Sequence, residues 1–173
     1  MIDLRRYELV VIVAMLAGCS GSGTPLSPSP SGVTAEHARP NVLERVLWAF
    51  KGSPNDGAHP EASVVNVNGK LYGTTSDGGN GNVGTVFSIT TSGKEIVLHS
   101  FGGAGDGANP LAGLLNVDGT LYGTTSGGGA DLDGTVFAIT ASGTETVLYS
   151  FKADSADGAH PQAGLLAFSL RNL

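Results

Sequence analysis

One cysteine, one tryptophan and two methionines in 173 residues set the first limits on this chain. A lone thiol cannot close an internal bridge, so no disulfide framework holds the fold together. Cationic side chains are scarce too, with 9 Lys and Arg against 15 Asp and Glu and a net charge of −6. That balance argues against nucleic acid, whose backbone is bound by Lys and Arg neutralising phosphates. Aromatic residues make up only 6% of the chain, while glycines number 27. Such a composition suits short strands joined by tight turns and disfavours long helices.

Long apolar runs are also missing. The run from Leu9 to Ala17, preceded by Arg5 and Arg6, is too short for a membrane span of about 20 residues but fits the apolar region of a signal peptide. It ends in Leu16-Ala17-Gly18-Cys19, which resembles the bacterial lipobox, in which the thiol is lipidated and the chain is cut just before it. Residues 1–18 are therefore expected to be a lipoprotein signal peptide, with Cys19 the lipidation site and the membrane a partner through that anchor. The expected location is exported, at the cell surface or the periplasmic face. Residues 19–41 turn to Ser, Gly, Pro and Thr around Ser27-Pro28-Ser29-Pro30 and show no apolar period. They read as a disordered tether.

From residue 42 to 173 the sequence repeats itself. Leu71-Tyr72-Gly73-Thr74-Thr75-Ser76 returns as Leu121-Tyr122-Gly123-Thr124-Thr125-Ser126, and Gly84-Thr85-Val86-Phe87 as Gly134-Thr135-Val136-Phe137. Asp56-Gly57-Ala58-His59-Pro60 returns as Asp106-Gly107-Ala108-Asn109-Pro110 and as Asp157-Gly158-Ala159-His160-Pro161. A period of about fifty residues divides the array into units at about 46–96 and 97–146 and a partial third at 147–173.

These motifs resemble the GloVer tandem repeat of exported bacterial proteins, also called the choice-of-anchor repeat, over about Val46 to Leu166. The resemblance implies a β-propeller-like array at the cell surface and carries over no catalytic residues.

Each unit reads as four antiparallel strands, so the fold class is all-β, propeller-like and incomplete. In the first unit the strands are Ala62 to Val67, Lys70 to Thr75, Gly84 to Thr90 and Lys94 to Phe101. Asn68-Gly69 and Asp118-Gly119 are hairpin turns, because Asn-Gly and Asp-Gly tolerate the positive φ angles that a two-residue loop needs. Phe87 and Ile89 share one face of their strand and Val86 takes the other, so the sheet needs neighbours on both sides. The third unit lacks a turn signal after Leu166, which predicts an unpaired strand and self-association through open sheet edges.

In an up-and-down meander the tight turns share one end and the long loops the other. The long-loop end is where a ligand would sit, with Asp77, Asn80, Asn82, Asp106, Asp131, Asp133 and Asp157 as candidate ligand-facing residues. Calcium could be held by Asp131 with Asp133 or by Asp154 with Asp157, but no dense run of alternating acidic residues closes on a Glu. Asx-turns before glycine are the preferred reading of Asp56, Asp106 and Asp157, and no metal or other cofactor is assigned. His59 and His160 align with Asn109, which suits a loop hydrogen bond better than zinc. His99 aligns with Trp48 and Tyr149, marking a packing position for flat side chains. Tyr72 and Tyr122 could stack on a sugar ring, although a strand Tyr more often packs on the next sheet.

Two functions follow. The first is a non-catalytic surface module that binds glycan or protein, or acts as a structural spacer. The second is a fragment of a propeller enzyme acting on polysaccharide, for which Glu95 and Glu145 are the default carboxylates, although both look like solvated edge residues. Repetition of the polar features favours the first.

Overall fold

The computed structural model describes residues 44–168 except Ala153 and Ser155; the expected signal peptide, Cys19, the tether and the start of the array near Val42 lie outside them. Among the described residues all regular structure is strand. The first unit holds β1 (Gly57–Ala58), β2 (Val65–Val67), β3 (Lys70–Thr75), β4 (Asp77–Gly78), β5 (Thr85–Thr90) and β6 (Glu95–Ser100). The second repeats them as β7 (Gly107–Ala108), β8 (Leu115–Val117), β9 (Thr120–Thr125), β10 (Gly127–Gly128), β11 (Thr135–Ile139) and β12 (Glu145–Ser150). Each unit forms an antiparallel four-stranded sheet, ordered β2-β3-β5-β6 and β8-β9-β11-β12.

The hairpin turns stand where the sequence places them. Asn68 and Gly69 have φ of 52° and 80°, Asp118 and Gly119 of 51° and 88°, the double positive φ of a type I′ turn. Each turn is braced by the Asn two positions before it, since Asn66 Oδ1 accepts the Gly69 N–H and Asn116 Oδ1 the Gly119 N–H, both at 3.0 Å.

The first strand is shorter than the sequence suggests. Pairing begins only at Val65 rather than Ala62. The reason is visible at the equivalent place in the second unit, where Ala112 and Leu114 are buried and the Ala112 carbonyl accepts the Thr74 hydroxyl of the first unit at 3.0 Å. That segment leaves its own sheet to bind the preceding one. The sequence also passes over the two-stranded ribbons β1-β4 and β10-β7, which tie each long loop to the Asp-Gly-Ala segment. Two-residue strands carry no periodicity to detect.

Residues directly opposite in a ladder share a face. On the first sheet Tyr72, Thr74, Val86 and Ser88 therefore point one way, and Phe87 and Ile89 the other. The core lies between the two sheets: Tyr72 and Val86 from the first meet Leu121, Phe137 and Ile139 from the second, with Phe101 and Leu114 of the connecting segment wedged in. Phe101 and Phe137 touch edge to face, centroids 5.2 Å apart, as Phe50 and Phe87 do at 4.9 Å one unit earlier. The units thus pack head to tail, each lending its terminal Phe to the sheet that follows. Gly73 and Gly123 make room for this, because a Cβ there would stand 2.6 and 2.5 Å from the rings of Phe87 and Phe137.

The outward face of the second sheet is less covered. Leu148 is 53% exposed and Val117 36%, whereas their counterparts Leu98 and Val67 are packed on the core. Val86 is 0% exposed, but Val136 in the same position is only half-buried. In the partial third unit, residues 156–168 join no strand ladder, and Leu166 and Phe168 are exposed.

Candidate functional site

Polar side chains converge at the seam where one unit passes to the next. Asp56 is buried, and its carboxylate accepts the Gly57 N–H at 2.7 Å, the Lys51 N–H at 2.8 Å and the Trp48 indole N–H at 3.3 Å. Asp106 accepts the Gly107 N–H at 2.6 Å and meets His99 Nε2 at 2.9 Å. Asp157 accepts the Gly158 N–H at 2.8 Å, the Lys152 N–H at 3.2 Å and the Tyr149 hydroxyl at 2.7 Å. The recurring Asp is thus a turn residue, accepting the amide of the glycine that follows it. A Cβ on Gly57 or Gly107 would stand about 2.5 Å from Thr75 or Thr125, so the paired glycine is a steric requirement.

Positions 48, 99 and 149 are more than the packing positions that their alignment in the sequence predicts. Packing is part of their role, since His99 lies edge to face on Phe101 at 4.9 Å. Each also presents one polar atom to the Asp seven or eight residues on, which explains why Trp, His and Tyr interchange there. The missed signal is that all three carry an N–H or O–H at the far edge of a flat ring.

Glu95 and Glu145 require a correction. They open the outermost strand of each sheet and are half-buried rather than freely solvated: in each, Oε1 is buried with no hydrogen-bond partner. Both follow a tight turn, which makes them look exposed in sequence, but Asp56 lies near Glu95, and Asp106 and His99 near Glu145. Burial, then the nearby Asp56 charge, pushes the Glu95 carboxyl up to about 7. Burial followed by Asp106 raises Glu145 in the same direction. The hydrogen bond to Asp106 raises His99 against the opposing effect of burial. Burial tends to raise Asp106, but the bonds from His99 and from backbone amides outweigh it and hold that carboxyl below its usual range. His99, Asp106 and Glu145 each offer one atom, all within 4.8 Å of one another.

The other loop residues are dispersed. Asp77 bonds His59 Nδ1 and the Ser76 hydroxyl, both at 2.9 Å. Asn82 accepts the Gly78 N–H at 3.3 Å, and the Asn80 N–H reaches Ser100 Oγ at 3.4 Å. Asp131 is exposed, while Asp133 lies 3.7 Å from His160 Nε2. His59, Asn109 and His160 all take φ near 54°. Asn109 donates to the Ser76 carbonyl at 3.0 Å and His160 meets the Ser126 carbonyl at 2.7 Å, the loop hydrogen bond in which Asn and His are equivalent. Tyr72 is buried between the sheets and Tyr122 is half-buried.

The Thr pairs of the Gly-Thr-Thr motif serve the fold. Thr75 and Thr85 share a buried hydrogen bond at 2.8 Å, Thr125 and Thr135 one at 2.7 Å. Thr74 and Thr124 donate forward to the Ala112 and Ala163 carbonyls, each at 3.0 Å.

No curated protein and no solved structure matches the chain. The model of the Gloeobacter/Verrucomicrobia repeat matches residues 19–173, which takes in both four-stranded units and the seams between them. With the motif, the period and the duplicated sheet all in agreement, the chain belongs to the Gloeobacter/Verrucomicrobia repeat family.

Proposed function

We propose that this protein is an exported lipoprotein, anchored through Cys19, whose repeats form a non-catalytic surface module for binding or structural spacing. The observation that carries the non-catalytic part is the use made of the recurring polar groups. Thr74 and Thr124, and Asn109 and His160, make the same contacts in successive units and join one unit to the next, while Asp56, Asp106 and Asp157 close the same turn before a glycine. Groups committed to architecture in every repeat are not the single constellation that catalysis needs. Ligand contact then falls to the loops around Asn80, Asn82, Asp131 and Asp133, which a rigid sheet scaffold holds in place.

The anchor rests on the Leu16-Ala17-Gly18-Cys19 motif after the short apolar run. Mass spectrometry of the membrane fraction should find acylated Cys19 at the mature N-terminus, and Cys19→Ala should leave the precursor uncut or release the protein. A mature N-terminus elsewhere would overturn the anchor.

The polysaccharide-enzyme reading keeps one observation in its favour. A carboxyl held near 7 beside a carboxylate, as Glu95 is beside Asp56, is what a general acid requires. A glycan-array assay beside a polysaccharide hydrolysis screen separates the two. Binding without turnover supports the module; turnover lost in Glu95→Gln would establish the enzyme.

A further inference from the structure

We infer that His99, Asp106 and Glu145 form a site for a divalent transition-metal ion, zinc foremost, which would clasp the two repeat units together. The three come from different places: His99 from β6 at the outer edge of the first sheet, Asp106 from the connecting loop, and Glu145 from the start of β12 in the second sheet. Their nearest ligand atoms lie within 4.8 Å of one another, and all three side chains are half-buried, open enough for an ion to enter.

Three features point to a cation. An imidazole nitrogen with two carboxylate oxygens is a zinc donor set, and three protein ligands leave a fourth position for water. The donors are held: Asp106 Oδ1 is fixed by the Gly107 N–H at 2.6 Å, and the His99 ring rests on Phe101 at 4.9 Å. Such supporting contacts orient metal ligands. Finally, Glu145 Oε1 is buried with no donor facing it. A carboxylate oxygen out of water without a partner is costly, and a metal ion beside Asp106 and His99 would satisfy it.

The first seam supplies the internal control. There Glu95 Oε1 is equally unpartnered, but position 48 is Trp, whose indole N–H donates to Asp56 and offers no lone pair to a metal. A carboxylate pair therefore recurs, and among the described residues the seam with His99 is the one that completes a third ligand.

The test is titration of the purified, metal-stripped protein with Zn2+ by calorimetry and with Co2+ by visible absorption. The wild type should bind one Zn2+ per chain, raise its melting temperature on doing so, and give the absorption of low-coordinate cobalt. His99→Trp, which copies the first seam, and Glu145→Gln should each weaken binding by about tenfold or more and lose the melting shift. His59→Gln with His160→Gln should change neither. Far-UV circular dichroism without metal checks that the variants fold, and His99→Asn serves if the Trp variant does not. Absence of Zn2+ binding, or binding equal in wild type and both seam variants, would overturn the site. Because neither readout involves a glycan or the anchor, it stands or falls separately from the proposed function.

Discussion

Asp56 and Asp157 occupy the same turn with the same backbone partners, yet they differ in surroundings: Asp56 is 7% exposed, whereas Asp157 is only half-buried. Asp56→Ala strands the Gly57 and Lys51 amides and the Trp48 indole, and should destabilise by about 2–4 kcal/mol in urea unfolding. Asp157→Ala should leave the unfolding midpoint nearly unchanged. Glu95 gives a pH signature. Its carboxyl titrates near 4.5 when unfolded and about 7 when folded, so the folded state holds the extra proton between those values. Stability from this group is complete below about pH 4.5 and is lost as the pH rises through 7. Half-exposed as it is, solvent screening limits the loss to about 1 kcal/mol. Glu95→Gln should flatten this part of the decline between pH 5 and 8 in chemical denaturation, and an unchanged profile would show that Glu95 is not the group responsible.

At the scale of strands and turns, two glycines with different duties should respond differently. Gly73 lies in β3 under the Phe87 ring, and its Cβ would fall 2.6 Å from Cζ. Gly73→Ala should therefore cost about 1–3 kcal/mol by overpacking. Gly69 has open space around it and a φ of 80°, so Gly69→Ala carries only the left-handed backbone penalty of about 1 kcal/mol. Thermal melts of the two variants measure both, and equal losses would contradict the packing account. These elements also show what sequence can reach. Asn68-Gly69 announces its hairpin because its φ requirement is local. The ribbon β1-β4 is silent, because Gly57 and Gly78 pair across twenty-one positions and neither neighbour alternates in polarity.

For the whole molecule, the seam between units decides cooperativity. Phe101→Ala removes a ring that is 1% exposed and should cost about 3–5 kcal/mol while making the units unfold less cooperatively. Leu98 and Leu148 hold the same place on successive sheets, one against the core and the other 53% exposed. Leu98→Lys should destabilise by about 2–4 kcal/mol, and Leu148→Lys by less than about 0.5 kcal/mol. The second substitution should also reduce any self-association seen by light scattering, since it charges the open face. Equal destabilisation by the two would mean that the outward face is covered in solution.

The all-β class, the fifty-residue period, the hairpins at Asn68-Gly69 and Asp118-Gly119 and the turn role of Asp56, Asp106 and Asp157 are legible in the sequence. Each depends on neighbours within a few residues or on exact repetition, and both are written along the chain. Only the packed molecule shows that residues 112–114 leave their sheet for the preceding unit, and that Glu95 and Glu145 each bury one carboxyl oxygen. It also shows that His99 meets a carboxylate forty-six positions away. The physical reason is common to all three: they are settled at a seam between units, where burial and charge come from residues about one repeat distant, and no local pattern records which face the next sheet will cover.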